Sequence, residues 1–168
     1  MTVSNGKFYS QNGKRQILIA DDEFINRELL GNVLEENYTV LFAENGKEAL
    51  DIIKENKTTL SAVLLDIIMP VMTGTELLKI LKSDPELENI PVIVLTSDQE
   101  SEAAILDIGA ADFIPKPYPR TAVIKARVRR TIELSEDRQI INMTERDVLT
   151  GLYNSEYFFR YAEQYRSR

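Results

Sequence analysis

Short, almost uninterrupted apolar runs alternate along this chain with stretches in which apolar residues return every three to four positions. The runs are Gln16–Ala20, Thr39–Ala43, Ala62–Asp66, Pro91–Leu95 and Asp112–Pro115. Several are rich in β-branched residues, which suits strands buried on both faces. Between them lie four stripes with helical spacing. These are Phe24, Leu29, Leu30, Val33 and Leu34; Ala49, Leu50, Ile52 and Ile53; Leu77, Leu78, Ile80 and Leu81; and Ala103, Ala104, Leu106 and Ile108. Gly109 is a C-cap candidate for the last of them. Five strands alternating with helices predict an α/β fold with a doubly wound, five-stranded parallel sheet.

Both ends break the pattern. Residues 1–14 are polar and carry two Asn-Gly pairs, Asn5-Gly6 and Asn12-Gly13, so they are expected to form a flexible leader. From Thr121 to Thr144 there is neither Gly nor Pro. That predicts an extended C-terminal helix, too long to be only the last helix of a compact domain. Leu134, Ile141 and Val148 recur every seven residues as a heptad seam, beside polar Thr131, Arg138 and Glu145.

Composition narrows the chemistry. The chain has 168 residues with no Cys and no His. Disulfides, thiolate or imidazole metal sites, Ser-His-Asp and Cys-His catalysis, and a phosphohistidine on this chain are excluded. No run of roughly 18 apolar residues is present, and the N-terminus lacks a secretory signal, so the expected compartment is the cytoplasm. Charge is uneven. Residues 1–118 carry 10 Lys/Arg against 20 Asp/Glu, and residues 119–168 carry 10 against 7. The acidic part argues against a nucleic-acid surface, and the interleaved charges of the tail suit a solvated helix face.

In an open parallel sheet, ligands gather at the carboxyl ends of the strands. The first predicted strand ends at Asp21-Asp22, the third at Asp66, the fourth at Thr96-Ser97 and the fifth near Lys116. Taken singly, these residues are ordinary helix caps, turns and solvated charges. Together they place three acids, a hydroxyl and an amine at one edge. Clustered carboxylates repel and call for a cation, and all-oxygen ligation with several waters suits Mg²⁺. Beside such an ion, ionised Asp66 can act as a nucleophile toward phosphorus, with Lys116 and Thr96 meeting the phosphoryl oxygens.

Residues 15–130 resemble the receiver domain of two-component response regulators. The segments that carry the likeness are "ILIADDEFINRELL", "LLDIIMPVMTGTELL", "VIVLTS" and "DFIPKP", above all the run Asp66, Met69, Pro70, Met72, Gly74. The resemblance implies a flavodoxin-like sheet of order 2-1-3-4-5 and a phosphoacceptor at Asp66. It implies Mg²⁺ (or Mn²⁺ in its place) held by Asp22, Asp66 and the Ile68 carbonyl, with Asp21 acting through water. Thr96, Ser97 and Lys116 would bind the phosphoryl group, Phe113 would be the switch aromatic, and Lys116–Pro117 is a candidate cis bond. Ile68 and Asp98 hold the positions that tune hydrolysis of the acyl phosphate. The implied donor is a sensor histidine kinase in trans, with acetyl phosphate as a substitute. The implied response is a rearrangement of the face made by the fourth helix, fifth strand and fifth helix, with homodimerisation as a possible readout.

Residues 146–165, "RDVLTGLYNSEYFFRYAEQY", resemble the opening of a GGDEF (diguanylate cyclase-type) domain. Asp147, Leu149, Thr150, Gly151, Leu152, Asn154 and Phe158 match, and Ser155 stands where that opening has Arg. The expected organisation is a leader over 1–14, a receiver over 15–130, a signalling helix over 131–146 and a GGDEF start, cut short, over 147–168. The fragment is then no enzyme beyond its own phosphorylation and dephosphorylation, and it serves its own C-terminal output in cyclic di-GMP signalling. Three other readings compete: a stand-alone receiver or phosphorelay protein that docks a partner, a DNA-binding regulator, and a Mg²⁺-dependent phosphatase. No nucleic-acid or membrane partner is expected.

Overall fold

The computed structural model describes residues 2–4, 7–9 and 13–150, with side chains over 13–141. The core strands are β1 (Arg15–Ala20), β2 (Tyr38–Ala43), β3 (Leu60–Asp66), β4 (Val92–Thr96) and β5 (Asp112–Pro115). They form one five-stranded sheet in the order β2-β1-β3-β4-β5, every pair parallel. The helices are α1 (Phe24–Leu34), α2 (Gly46–Glu55), α3 (Gly74–Ser83), α4 (Glu102–Ile108) and α5 (Thr121–Thr150). A single 3₁₀ turn, Gln99–Ser101, leads into α4. This is the expected flavodoxin-like fold with its extended C-terminal helix. The chain divides into two units, Met1–Ser135 and Glu136–Arg168.

The alternation of side chains along the strands builds two cores. Ile17, Ile19, Leu64, Ile93 and Leu95 pack with Leu30 and Leu34 of α1 and Ile124, Val128 and Ile132 of α5. Leu18, Ala20, Val63, Leu65 and Val94 pack on the other face with Ala49 and Ile53 of α2, Leu77, Leu78 and Leu81 of α3, and Ile105 of α4.

The helix faces differ from expectation in three helices, and in α3 it is Ile80 of the expected stripe that is exposed. Phe24 and Leu29, expected in the buried stripe of α1, are exposed, and Arg27 is buried between them. In α4, Ala103, Ala104 and Leu106 of the expected stripe are exposed, its Ile108 is half-buried against the core, and the one buried residue is Ile105. A helix of seven residues makes too few turns for its apolar positions to fix a phase, and alanines fit either side.

Residues 1–14 include an antiparallel pair, Thr2–Ser4 with Lys7–Tyr9, which the polar leader reading did not anticipate. In α5, Ile124, Val128 and Ile132 form the buried ridge, and Thr131 is buried beside them. Leu134 and Ile141 of the heptad seam are exposed. The side chain of Val148 and residues 151–168, which carry most of the GGDEF-like motif, lie outside the described residues.

Candidate functional site

Strand register gathers the acids. Ala20 of β1 pairs with Leu65 of β3, so the next residues, Asp21 and Asp66, emerge side by side at the carboxyl edge. Asp21 is fully buried and Asp66 nearly so, while Asp22 is exposed. Carboxylate oxygens from Asp21, Asp22 and Asp66 all lie within 4.8 Å of one another. Lys116, one residue past β5, places Nζ 3.3 Å from Asp21 Oδ2 and 3.3 Å from Asp66 Oδ2. One ammonium therefore bridges two buried carboxylates. The Lys116–Pro117 peptide that presents it is cis.

Burial pushes the Asp66 carboxyl above its ordinary range. Lys116 opposes the shift, the neighbouring Asp21 adds to it, and the Ile68 amide, which donates to Asp66 Oδ1 at 3.3 Å, works with Lys116. Partly desolvated carboxylates held together by one shared cation leave a surplus of negative charge at this edge.

The loop after Asp66 is fitted by glycine. A Cβ on Gly74 would run into the Asp66 carbonyl, and one on Gly46 would run into the Met72 carbonyl. The Gly74 N–H donates to the Ile67 carbonyl at 2.8 Å. These close approaches are why Asp66 and Gly74 stand at a set spacing. Thr73 and Glu76 close a capping box at the start of α3. Ile68 and Val71 of the same loop are exposed, and Val71 has φ of 68°, a left-handed conformation unusual for a β-branched residue.

Thr96 is the last residue of β4 and is buried. Its hydroxyl accepts the Asp98 N–H at 3.0 Å and donates to the Asp98 carbonyl at 3.4 Å. Asp98 in turn accepts from the Glu100 N–H and the Ser101 hydroxyl, and these bonds hold its carboxyl below the usual range. Ser97 and Asp98 are both exposed. Register sets Thr96 opposite Pro115, so the hydroxyl is one strand from Asp66 and one residue from Lys116. Phe113 is half-buried on the α2–α4 side of the sheet.

Two arginines were not expected. The Arg27 guanidinium donates to the Asp21 carbonyl at 2.7 Å and reaches Glu44 at 3.2 Å, which ties α1 to the strand end that carries the acids. Arg127 of α5 donates to the Phe113 carbonyl at 2.8 Å, pairs with Asp112 at 3.3 Å, and sits 5.8 Å from the centre of the Phe113 ring. Only the 3.6-residue spacing of α5, which sets Arg127 beside the buried Val128, hints at its place.

A family model of the response regulator receiver domain matches residues 17–129. The chain belongs to this family. Residues 17–129 are a receiver domain of two-component signalling, a signalling module. The phosphate regulon transcriptional regulatory protein PhoB of Pseudomonas aeruginosa is 42% identical over 123 residues, 70% of this chain and 53% of that protein. A Vibrio cholerae protein named "Probable cyclic di-GMP phosphodiesterase" is 36% identical over 127 residues, 74% of this chain but 28% of that protein. Among solved structures, the chemotaxis response regulator CheY4 of Vibrio cholerae is 25% identical with a TM-score of 0.64, covering 70% of this chain and 98% of its own. The Francisella response regulator 1452 receiver domain is 29% identical with a TM-score of 0.62, covering 75% and 99%. In both of these curated relatives the match spans well under two thirds of the protein's length. No described helix is long and apolar enough to cross a membrane.

Proposed function

We propose that this receiver domain accepts a phosphoryl group on Asp66 from the phosphohistidine of a sensor kinase in trans. The observation that carries this reading is the Asp66 carboxylate itself, nearly buried, 3.3 Å from the Lys116 ammonium and within 4.8 Å of two further acids. A carboxylate oxygen of Asp66 attacks phosphorus, the P–N bond breaks, and the imidazole nitrogen of the kinase departs. No general base is needed, because Asp66 reacts as its ionised form. Burial makes the nucleophile poorly solvated, and Lys116 is at hand to meet an oxygen of the arriving group.

The all-oxygen donor set and its excess negative charge fit Mg²⁺ or Mn²⁺. Asp22, Asp66 and the Ile68 carbonyl would hold the ion and Asp21 would act through water. The ion supplies neutralisation of charge on the transferring group. Ile68 adds a property of its own. An aliphatic side chain cannot orient an attacking water, so the acyl phosphate outlives that of an Ile68→Asn variant. Asp98, two residues past Thr96, is the second residue in this role.

Phosphorylation then draws the Thr96 hydroxyl away from Asp98, with Ser97 beside it, and Phe113 moves into the vacated space. The face of α4, β5 and α5 is the readout, through a homodimer and through the protein's own C-terminal output. A GGDEF-type output is supported by the motif over 146–165, and a link to cyclic di-GMP is in keeping with the name of the Vibrio cholerae relative.

The test is intact mass after incubation with Mg²⁺ and acetyl phosphate, beside Asp66→Ala. A gain of one phosphoryl group, lost in the variant, supports the reading. No gain, together with no binding of beryllofluoride, overturns it.

A further inference from the structure

Two cations reach the acidic edge, and they use it differently. The Lys116 ammonium occupies carboxylate oxygens, 3.3 Å from Asp21 Oδ2 and 3.3 Å from Asp66 Oδ2. Arg27 occupies none of them. Among the described residues, its partners are the Asp21 main-chain carbonyl at 2.7 Å, the Glu44 carboxylate at 3.2 Å and the Phe24 ring, whose centre lies 5.8 Å away. The side chain is buried, although its charge is permanent. A guanidinium taken out of water is costly unless it is paired and hydrogen-bonded. Here a carbonyl, a carboxylate and an aromatic face share that task, which gives Phe24 a place outside the core.

The carbonyl that Arg27 holds belongs to the peptide joining Asp21 to Asp22. The rest of Asp21 is fixed already. Its N–H donates to the Ala43 carbonyl at 3.1 Å, and Oδ1 accepts the Glu23 N–H at 2.9 Å. Asp22 is exposed, so its carboxylate leaves the chain in the direction that this peptide sets. One rigid plane therefore orients two neighbouring acids. Arg27 grips that plane from α1, and Glu44, one residue past β2, grips Arg27. The planar fork of the guanidinium suits the task, with Nη1 on the carbonyl and Nη2 on Glu44. A lysine ammonium carries the same charge without the fork.

We propose that Arg27 is a positioning residue for the divalent-cation site, which holds the Asp21–Asp22 peptide so that the carboxylates converge without occupying any of their oxygens. The proposal rests on the reading of Asp21, Asp22 and Asp66 as a cation site. A residue that only offset charge would act with the opposite sign. Its removal would leave the edge more negative and draw a metal ion in more tightly. The direction of the change in metal affinity separates the two roles.

The experiment titrates the whole chain with Mn²⁺, read from the paramagnetic resonance signal of the free ion, with Mg²⁺ as competitor. It compares the parent with Arg27→Lys, Arg27→Met and Leu81→Ala, each below its own unfolding midpoint. Arg27→Lys keeps the charge and loses the fork. Its affinity for both ions is expected to fall roughly tenfold, the lower end for losing a group that orients metal ligands. Arg27→Met is expected to bind more weakly than the parent too, by a smaller factor, because the lost charge offsets part of the loss. Leu81→Ala truncates a buried side chain of α3, so it unfolds at a lower temperature and keeps the parent's affinity. Unchanged affinity in Arg27→Lys with tighter binding in Arg27→Met overturns the proposal, since Arg27 would then supply charge alone. Unchanged affinity in both overturns it as well, since Arg27 would then serve the fold alone. An equal loss of affinity in Leu81→Ala overturns it by tracing the effect to stability. If Arg27→Met does not fold, Arg27→Lys decides. A parent that binds neither ion removes the cation-site reading and this proposal with it.

Discussion

Helices α3 and α4 follow the two strands whose last residues matter most, Asp66 and Thr96, and they pack on the same face of the sheet. They are attached very differently. Helix α3 starts with a complete capping box and buries Gly74, Leu77, Leu78 and Leu81. Helix α4 has no side-chain cap at Ser101, buries Ile105 alone and exposes Leu106. The end of the sheet that would receive the phosphoryl group is thus followed by a fixed element, and the end that would report it by a loose one. Local opening comes most easily where few apolar side chains hold an element down. A switch built this way keeps its chemistry rigid and spends its mobility on the readout.

The contrast is broken most directly at the two anchors. Leu78→Ala is expected to cost about 4 kcal/mol of global stability, because it leaves a cavity between α3 and the sheet. Ile105→Ala is expected to cost about 2 kcal/mol, the lower end for such a change, because a short exposed helix can settle into the gap. Urea unfolding gives both values. Amide exchange sharpens them: Ile105→Ala should speed exchange in α4 while leaving β3 and α3 as they were. Equal loss in the two variants, or faster exchange throughout, would mean that α3 and α4 are held alike.

The fixed end carries electrostatic stress. The folded chain holds a proton on Asp66 more tightly than the unfolded chain, whose carboxyl has an ordinary value of 3.8. Its contribution is fully present below that value and is lost as pH rises through the raised, folded one. In metal-free buffer at pH 7, Asp66→Asn should therefore unfold at a higher temperature than the parent. The advantage should shrink as pH falls toward 4 and vanish below it. A variant less stable than the parent at pH 7 would mean that the Lys116 bridge outweighs burial.

These differences were legible in the sequence only in part. Two-sided burial writes a strand as an unbroken apolar run, so all five core strands were visible to within two residues at either end. The strand-end acids, Thr96 and Lys116 were visible because the parallel topology has one carboxyl edge. Helix faces were less legible. Leu106 is as apolar as Ile105, and nothing in seven residues says which one turns inward. Arg27 and Arg127 were missed for another reason. The two arginines bind backbone carbonyls, of Asp21 and Phe113, and every residue has a carbonyl, so sequence does not mark the pairing.

Caps test the same contrast at a smaller scale. Thr73→Ala removes the oxygen that accepts the Glu76 N–H at 3.2 Å and opens the capping box, at an expected cost of about 1 kcal/mol. Ser101→Ala, at the start of α4, removes a hydroxyl that serves Asp98 and caps nothing. Its global cost is expected within about 0.5 kcal/mol. Chemical denaturation of the pair checks this, and a Ser101→Ala cost equal to that of Thr73→Ala would show α4 to be as firmly started as α3.

One further effect has the opposite sign and lies inside the fixed half. Val71 sits in the loop between Asp66 and α3 with φ of 68°. A left-handed residue with a Cβ costs about 1–2 kcal/mol, and a β-branched one belongs at the upper end. The side chain is 80% exposed, so the fold recovers little of that through burial. Val71→Gly removes the steric cost but gives the unfolded chain more freedom, worth about 0.5–1 kcal/mol against the fold. The balance is a gain of about 1–1.5 kcal/mol, seen as a higher urea midpoint with an unchanged slope. Val71→Asn, which tolerates the left-handed region without glycine's freedom, should gain a similar amount. If both variants lose stability, the strain is absent and the loop is held by its valine. A gain would show that rigidity beside Asp66 is kept by the Gly46 and Gly74 contacts and the α3 cap, in spite of the residue between them.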